Sequence, residues 1–100
     1  MNKTDTLMWL MRAHEAIRKL PEGTDINSVA ITLYGDGNRI NIYLDAPVEL
    51  KGAVCQNTIR YTSGTKPLNY GRVEVSDCNG IDYWWGVEFN EDGTIKKEGT

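Results

Sequence analysis

Hydrophobic and polar residues repeat with different periods along this chain, and these periods predict its elements. Over residues 5–20 apolar positions recur every three or four residues, which predicts an amphipathic helix with Thr4 or Asp5 as N-cap. His14 falls within the apolar arc, so we expect it at the edge of the core. The arc that we expect to be buried contains Leu7, Leu10, Met11, Ala13, Ile17 and Leu20, with Trp9 and Ala16 at its margin.

Strict alternation over residues 28–46 predicts a β-hairpin. A two-residue turn at Asp36 and Gly37 would fix its register and would place the apolar side chains of both strands on one face. The apolar pairs that this turn predicts are Leu33 with Ile40, Ile31 with Ile42, and Val29 with Leu44.

The middle of the chain has a less regular pattern. Residues 53–62 predict a strand with Ala53, Cys55, Ile59 and Tyr61 on one side, although Asn57 interrupts that face. The stretch SGTKPLNYG that follows is rich in glycine, proline and polar residues, which is typical of a loop.

The last third predicts a second hairpin, for which two turns compete. One is a two-residue turn at Asn79 and Gly80, and the other is a three-residue loop over residues 78–80 with Gly80 in the left-handed region. We prefer the three-residue loop because it collects the apolar side chains on one face. It pairs Val75 with Tyr83 and Val73 with Trp85, and a similar loop over residues 91–93 pairs Phe89 with Ile95.

Trp84 then points away from the core. Side chains alternate between the two faces of a strand, so Trp84 lies on the face opposite Tyr83 and Trp85. On that face Gly86 leaves a shelf beside the indole ring. An aromatic residue within a charged rim is typical of a binding hot spot. The structural alternative is that Trp84 packs over Arg72 in a cation–π contact or is covered by the middle segment. The predicted core face consists of Ile81, Tyr83, Trp85, Val87 and Phe89.

These elements and the composition predict the fold class. A chain of 100 residues with 40% hydrophobic and 25% charged residues is typical of one globular domain, which we expect to span residues 1–100. We predict an α+β fold in which the N-terminal helix packs on an antiparallel sheet of about four to six strands. A sheet edge left open could pair two copies into a homodimer.

The sequence also bears on the cellular compartment. No stretch has the ~20 apolar residues that span a bilayer, and the N-terminus lacks the pattern of a secretory signal. We therefore expect a cytoplasmic protein without membrane contact. Cys55 and Cys78 are expected to be free thiols there. A disulfide between them is the alternative if the fold brings their strands together.

Negative charge is concentrated near the C-terminus. Residues 1–72 contain nine basic and seven acidic residues, whereas residues 73–100 contain two basic and seven acidic ones, so the second segment carries −5. An acidic segment favours a partner with a basic surface and disfavours direct contact with phosphates. We predict that a protein or nucleoprotein complex is contacted by Glu74, Asp82, Trp84, Glu88, Glu91 and Asp92.

Other function classes have weaker support in the sequence. His14 has no identifiable nucleophile to activate, and Cys55 and Cys78 lack the spacing of a metal or redox pair, so we expect no enzymatic activity, metal or cofactor. A carbohydrate-binding module is an alternative because exposed aromatic residues suit sugar stacking. Direct nucleic-acid binding is not expected, since the basic aromatic stripe is sparse and consists of Tyr34, Arg39, Tyr43, Arg60 and Tyr61.

The general character of the chain is similar to that of small phage or mobile-element inhibitors of host defence, such as anti-CRISPR proteins, and to that of toxin-immunity proteins. Shared features are a short acidic chain, one helix, a meander and the lack of a catalytic set. This resemblance of style covers the whole chain and involves no particular residues. It implies a protein that binds and blocks a nucleic-acid-handling or host-defence complex, with a toxin-immunity protein as the alternative.

Overall fold

One helix followed by five strands makes up the fold. A computed structural model describes residues 2–33, 37–52, 55–77 and 79–97. In chain order the elements are α1 (Lys3–Arg18), β1 (Ile26–Thr32), β2 (Arg39–Leu44), β3 (Cys55–Ser63), β4 (Lys66–Ser76) and β5 (Ile81–Glu88). The strands form one sheet in the order β1-β2-β5-β4-β3, with α1 packed on one face. This confirms the predicted α+β fold of one helix and about four to six strands.

One strand pair departs from the antiparallel pattern. β2 and β5 are parallel, whereas β1 and β2, β3 and β4, and β4 and β5 are antiparallel, so the sheet is mixed. The chain leaves β2, forms the β3–β4 hairpin at the far edge, and returns through β4 to β5 in the centre. No local turn pattern specifies this pairing, because its strands are far apart in sequence.

Helix α1 begins earlier than predicted and with a different N-cap. The side-chain oxygen of Asn2 accepts a hydrogen bond from the backbone N–H of Asp5 at 2.8 Å, so Thr4 and Asp5 were the wrong caps. Both lie inside the first turn of the helix, where Asp5 is still favourable beside the positive end of the helix dipole.

The face that α1 buries agrees with the predicted one only in part. Ala13 and Ala16 are buried on the sheet, with Trp9, Ile17 and Leu20 packed beside them. These residues belong to the predicted arc or to its margin, so this part of the prediction is confirmed. Three residues predicted to be buried are exposed, and so is His14, which was placed at the core edge. The exposed fractions are 50% for Leu7, 47% for Leu10 and 70% for Met11.

The core lies between α1 and the sheet, and β2 and β5 form its centre. Ile40 and Ile42 of β2 have no exposed surface. The predicted register of β4 and β5 is confirmed, with Val75 opposite Tyr83, Val73 opposite Trp85, and Gly80 at a φ of 90°. The pairing of Phe89 with Ile95 is confirmed too. The predicted core face of β5 is also confirmed, since Ile81, Tyr83, Trp85 and Phe89 are buried and Val87 packs against the core.

The first hairpin has a different register from the predicted one. Ile31 pairs with Ile40 and Val29 with Ile42, a shift of two residues. The shift keeps every side chain on its predicted face, because side chains alternate with a period of two. β1 ends at Thr32 and β2 begins at Arg39, so the connection is longer than the predicted turn, whose residue Asp36 lies outside the described residues.

The stretch that was predicted to be a loop contains the start of β4. The turn is at Gly64 and Thr65, and β4 begins at Lys66. Pro67 is tolerated because this part of β4 extends beyond its pairing with β5, so the missing N–H costs no bond on that side.

Strand β3 lies at a sheet edge and is mostly exposed, with its side chains only partly buried from Ile59 to Tyr61. Cys55 is exposed, whereas Ala53 and Cys78 lie outside the described residues. The predicted alternatives for the two cysteines, free thiols or a disulfide, therefore stay predictions.

Candidate functional site

One face of the sheet is not covered by α1, and we call it the open face. Its side chains come from all five strands, because directly paired residues point to the same side. Trp84 points away from the core onto this face, as predicted, and its strand β5 is the middle strand of the sheet. The open face contains Arg39, Asn41, Tyr43, Tyr61, Tyr70, Arg72, Glu74, Asp82, Trp84, Gly86 and Glu88.

Trp84 is half-buried and held in one orientation. Its indole N–H donates a hydrogen bond to the side-chain oxygen of Asn41 at 2.9 Å. The Tyr43 ring stacks on it with 6.0 Å between ring centroids and 28° between the planes. The guanidinium carbon of Arg72 lies 4.9 Å from the ring centroid, which is the cation–π contact considered as the structural alternative. Tyr43 and Arg72 approach from the strands on either side of β5.

Arg72 links Trp84 to two further aromatic residues. Its guanidinium donates hydrogen bonds to the Tyr61 hydroxyl at 3.3 Å and to the Glu74 carboxylate at 2.9 Å, and these bonds raise the pKa of Arg72. Tyr61 in turn packs edge-on against Tyr70, with ring centroids 5.7 Å apart. Two pairs of aromatic rings, joined by the Arg72 guanidinium, therefore form a row across the open face.

The carboxylates that were predicted to form an acidic rim are paired with basic side chains. Asp82 accepts two hydrogen bonds from Arg39, both at 2.7 Å, and its side chain is only 13% exposed. Glu74 is paired with Arg72 at 2.9 Å, and Glu88 lies 3.8 Å from the ammonium of Lys96. Charges around Trp84 are therefore balanced within the open face.

The structure separates Glu91 and Asp92 from the other predicted contact residues. Both are exposed in the loop after β5. Hydrogen bonds from the hydroxyl and backbone N–H of Thr94 lower the pKa of Asp92 and close this loop. The charge of Arg60 also lowers it, and Arg60 lies over the buried Phe89 ring on the helix-bearing side of the sheet.

The structure adds two tyrosines to the predicted site. Tyr43 is beside Trp84 because β2 and β5 pair in parallel, and Tyr61 is beside Arg72 because β3 pairs with β4. Both belong to the sparse basic aromatic stripe of the sequence, of which Arg39 is also on the open face, Arg60 is on the other side, and Tyr34 lies outside the described residues.

A shallow depression lies beside Trp84, at the shelf that the sequence predicted. Tyr43, Tyr61 and Arg72 line it together with Gly86. A Cβ atom added at Gly86 would meet only one backbone oxygen, that of Gly71 at 3.9 Å, so a side chain at this position would extend into the depression.

The open face presents aromatic, arginine and carboxylate side chains rather than a set of metal ligands. Within the described ranges, no group of three or more His, Cys, Asp or Glu residues could hold a metal ion. The helix in the described part of the chain is not long and apolar enough to span a membrane. Comparison with models of known protein families, with curated proteins and with solved structures finds no match to this chain. Inference about its function therefore rests on the geometry of the open face.

Proposed function

We propose that this protein is a non-enzymatic cytoplasmic inhibitor that binds a protein or nucleoprotein complex through its open face and blocks it. A row of ordered aromatic and arginine side chains on an uncovered sheet face is the observation that carries the proposal. Tyr43, Trp84 and Arg72 are fixed by their mutual contacts, so they lose little rotational freedom when a partner binds. Tryptophan, tyrosine and arginine are also the residues that dominate binding hot spots.

Charge balance on the open face favours contact with protein over contact with phosphates. Arg39, Arg72 and Lys96 each have a carboxylate partner. Binding to a nucleic acid depends on cations that replace the counterions of the phosphates, and paired cations serve this purpose poorly. The exposed carboxylates of Glu91 and Asp92 add negative charge in the loop after β5, which steers a partner with a basic surface.

Contacts of the Trp84 ring disfavour the carbohydrate-binding alternative. Tyr43 and Arg72 approach the ring from two different neighbouring strands. A sugar would have to displace one of them before it could stack on the indole. A protein side chain instead fits the depression beside the ring without moving either residue, because Gly86 leaves that space empty.

Affinity capture from a lysate of the source cells tests the proposal. The bait is the full chain, compared with Gly86→Leu, which fills the depression without a backbone clash, and with Lys51→Ala as a matched surface control. We expect wild type and Lys51→Ala to retain the same protein or nucleoprotein complex and Gly86→Leu to lose it. Nuclease treatment should leave the retention of the partner's protein components unchanged.

Circular dichroism of each bait shows whether the fold is intact. Equal retention by all three folded baits would show that the open face is not the docking surface. Loss of the partner's protein components after nuclease treatment would instead show that the contact is to nucleic acid.

A further inference from the structure

A cleft on the helix-bearing side of the sheet is separate from the open face. We call it the helix cleft, and its volume of about 660 Å³ is within the usual range for sites that take small molecules. It lies between the second half of α1, the segment that follows β2 and the turn that joins β4 to β5. The apolar residues that line it are Ala16, Leu20, Pro21, Leu50 and Ile81. A ligand there would therefore rest an apolar body against both the helix and the sheet.

The Tyr83 hydroxyl is a polar group of the helix cleft that lacks a partner. Tyr83 lines the cleft although the residue is only 8% exposed. Its hydroxyl forms no hydrogen bond with a described residue and is not sealed in the core, so its free donor faces the cleft. Most buried polar groups in proteins are hydrogen-bonded. A ligand can therefore supply the acceptor that the described part of the chain does not provide.

The charged side chains around the helix cleft balance one another. Three basic and three acidic side chains line it. Some of them already have partners, since the Arg12 guanidinium donates a hydrogen bond to the carbonyl oxygen of Asn79 and the Glu15 carboxylate is paired with Arg18. The cleft therefore offers no surplus charge that would attract a charged ligand.

The surroundings of Tyr83 select the kind of acceptor. Burial and, to a smaller extent, the charge of Asp77 raise the pKa of the Tyr83 hydroxyl, so this group stays protonated and can donate. The Asp77 carboxylate, which also lines the cleft, repels a carboxylate or phosphate that approaches the hydroxyl. An ammonium group has no acceptor to offer. An uncharged carbonyl oxygen meets both conditions, because it accepts a hydrogen bond and carries no net charge.

We propose that the helix cleft binds a small neutral molecule that has an apolar body and a carbonyl group of the amide type. The Tyr83 hydroxyl donates a hydrogen bond to the carbonyl oxygen of this ligand. The apolar body packs against Leu20, Leu50 and Ile81. Tyr83 and Trp84 point to opposite sides of β5, so this site and the open face can be tested independently.

Titration of the full chain with 2-phenylacetamide, followed by NMR of the side-chain methyl groups, tests the helix cleft. Phenylacetate is the matched probe, because it has the same ring and carbon chain but a carboxylate in place of the amide. We expect phenylacetamide to shift the methyl signals of Leu20, Leu50 and Ile81, and phenylacetate to bind roughly tenfold more weakly or worse.

Tyr83→Phe removes the proposed donor and keeps the ring that packs in the core. We expect it to weaken the binding of phenylacetamide about three- to tenfold, which corresponds to one neutral hydrogen bond. Tyr70→Phe is the matched control, because Tyr70 lies on the open face and is 53% exposed, and it should bind the probe as wild type does.

Three results would overturn the proposed ligand site. The first is that phenylacetamide shifts none of these methyl signals up to its solubility limit. The second is equal affinity of wild type and folded Tyr83→Phe for phenylacetamide, which would show that the hydroxyl is not the donor. The third is tighter binding of phenylacetate than of phenylacetamide. Capture of a macromolecular partner is a separate result, because Tyr83→Phe leaves the open face unchanged and should retain the same partner as wild type.

Discussion

Arg72 orders the open face because one planar group satisfies several neighbours at once. Its flat surface lies over Trp84 while its edge donates hydrogen bonds to Tyr61 and Glu74. An ammonium group has no flat surface and no fixed fork of donors, so lysine cannot reproduce this geometry. The orientation of Trp84, and with it the shape of the depression, therefore depends on the guanidinium.

We expect Arg72→Ala to lower the free energy of unfolding by about 1–2 kcal/mol, because it removes a cation–π contact and two hydrogen bonds. Arg72→Lys should recover little of this loss. Urea unfolding followed by tryptophan fluorescence measures both variants, with Lys51→Ala as the exposed control. If Arg72→Lys is as stable as wild type, the planar geometry is not what matters.

The burial of Tyr83 makes the stability of the fold depend on pH in the alkaline range. Burial raises the pKa of its hydroxyl above the usual 10.0, and the nearby charge of Asp77 raises it further. The folded state therefore holds this proton more tightly than the unfolded state. Its contribution to stability is fully present below pH 10 and is lost as the pH rises from there through the folded pKa.

We expect the stability of wild type to fall more steeply above pH 10 than that of Tyr83→Phe, which has no proton to lose at this position. Thermal unfolding across this range measures the two slopes, and Tyr70→Phe is the matched control because Tyr70 is 53% exposed. If the stability of wild type and of Tyr83→Phe falls equally steeply above pH 10, the Tyr83 hydroxyl is not the cause of the loss.

At the scale of the element, the two strand glycines Gly71 and Gly86 differ in the space that is available for a side chain. A Cβ atom at Gly71 would lie 2.0 Å from the carbonyl oxygen of Ile59, which belongs to the backbone of β3. At Gly86 the nearest atom to such a Cβ is 3.9 Å away. Only Gly71 is therefore required for the close approach of β3 and β4, beside the irregular register that follows Arg60.

We expect Gly71→Ala to destabilise the protein by about 3 kcal/mol or more, because the β3 backbone must move. Gly86→Ala should leave stability unchanged or raise it by about 0.5 kcal/mol, since alanine restricts the unfolded chain. Chemical denaturation of the two variants side by side gives the comparison. Equal losses would mean that the β3–β4 approach is looser than the structure shows.

Elements defined by local chemistry were predictable from the sequence. The alternation of β5 by itself places Asp82, Trp84 and Gly86 on one face. Together with the left-handed Gly80 it also fixes the β4–β5 register. The start of β4 was not predictable in the same way, because Pro67 and its polar neighbours resemble a loop and are tolerated only where β4 extends beyond β5.

Features that depend on distant segments could not be predicted from local pattern. The broad apolar arc of α1 offered several directions for packing, and the sheet selected the side with Ala13 and Ala16. Tyr43 joins Trp84 only because β2 and β5 are parallel neighbours. The ion pair of Asp82 with Arg39, which neutralises part of the expected acidic rim, depends on the same strand pair.

At the scale of the whole molecule, stability depends on a core that lies on one side of the sheet only. Ile40 and Ile42 on β2 are fully buried, and their neighbours on β5 are Ile81 and Tyr83. Because these two strands carry α1 on one side and face solvent on the other, few other groups can move into a space that opens there. A cavity at this centre should therefore lower the stability of the whole fold.

We expect Ile42→Ala to lower the free energy of unfolding by about 3–4 kcal/mol, near the upper part of the range for such substitutions, whereas Ile42→Val should cost about 1 kcal/mol. Val29→Ala is the control, because Val29 is 39% exposed and faces the same side from the edge strand. A domain of this length has about 5–15 kcal/mol in total, so Ile42→Ala should unfold at much lower denaturant concentration in one cooperative transition. A loss no greater than that of Val29→Ala would mean that the sheet centre repacks freely and that the core is not the single unit described above.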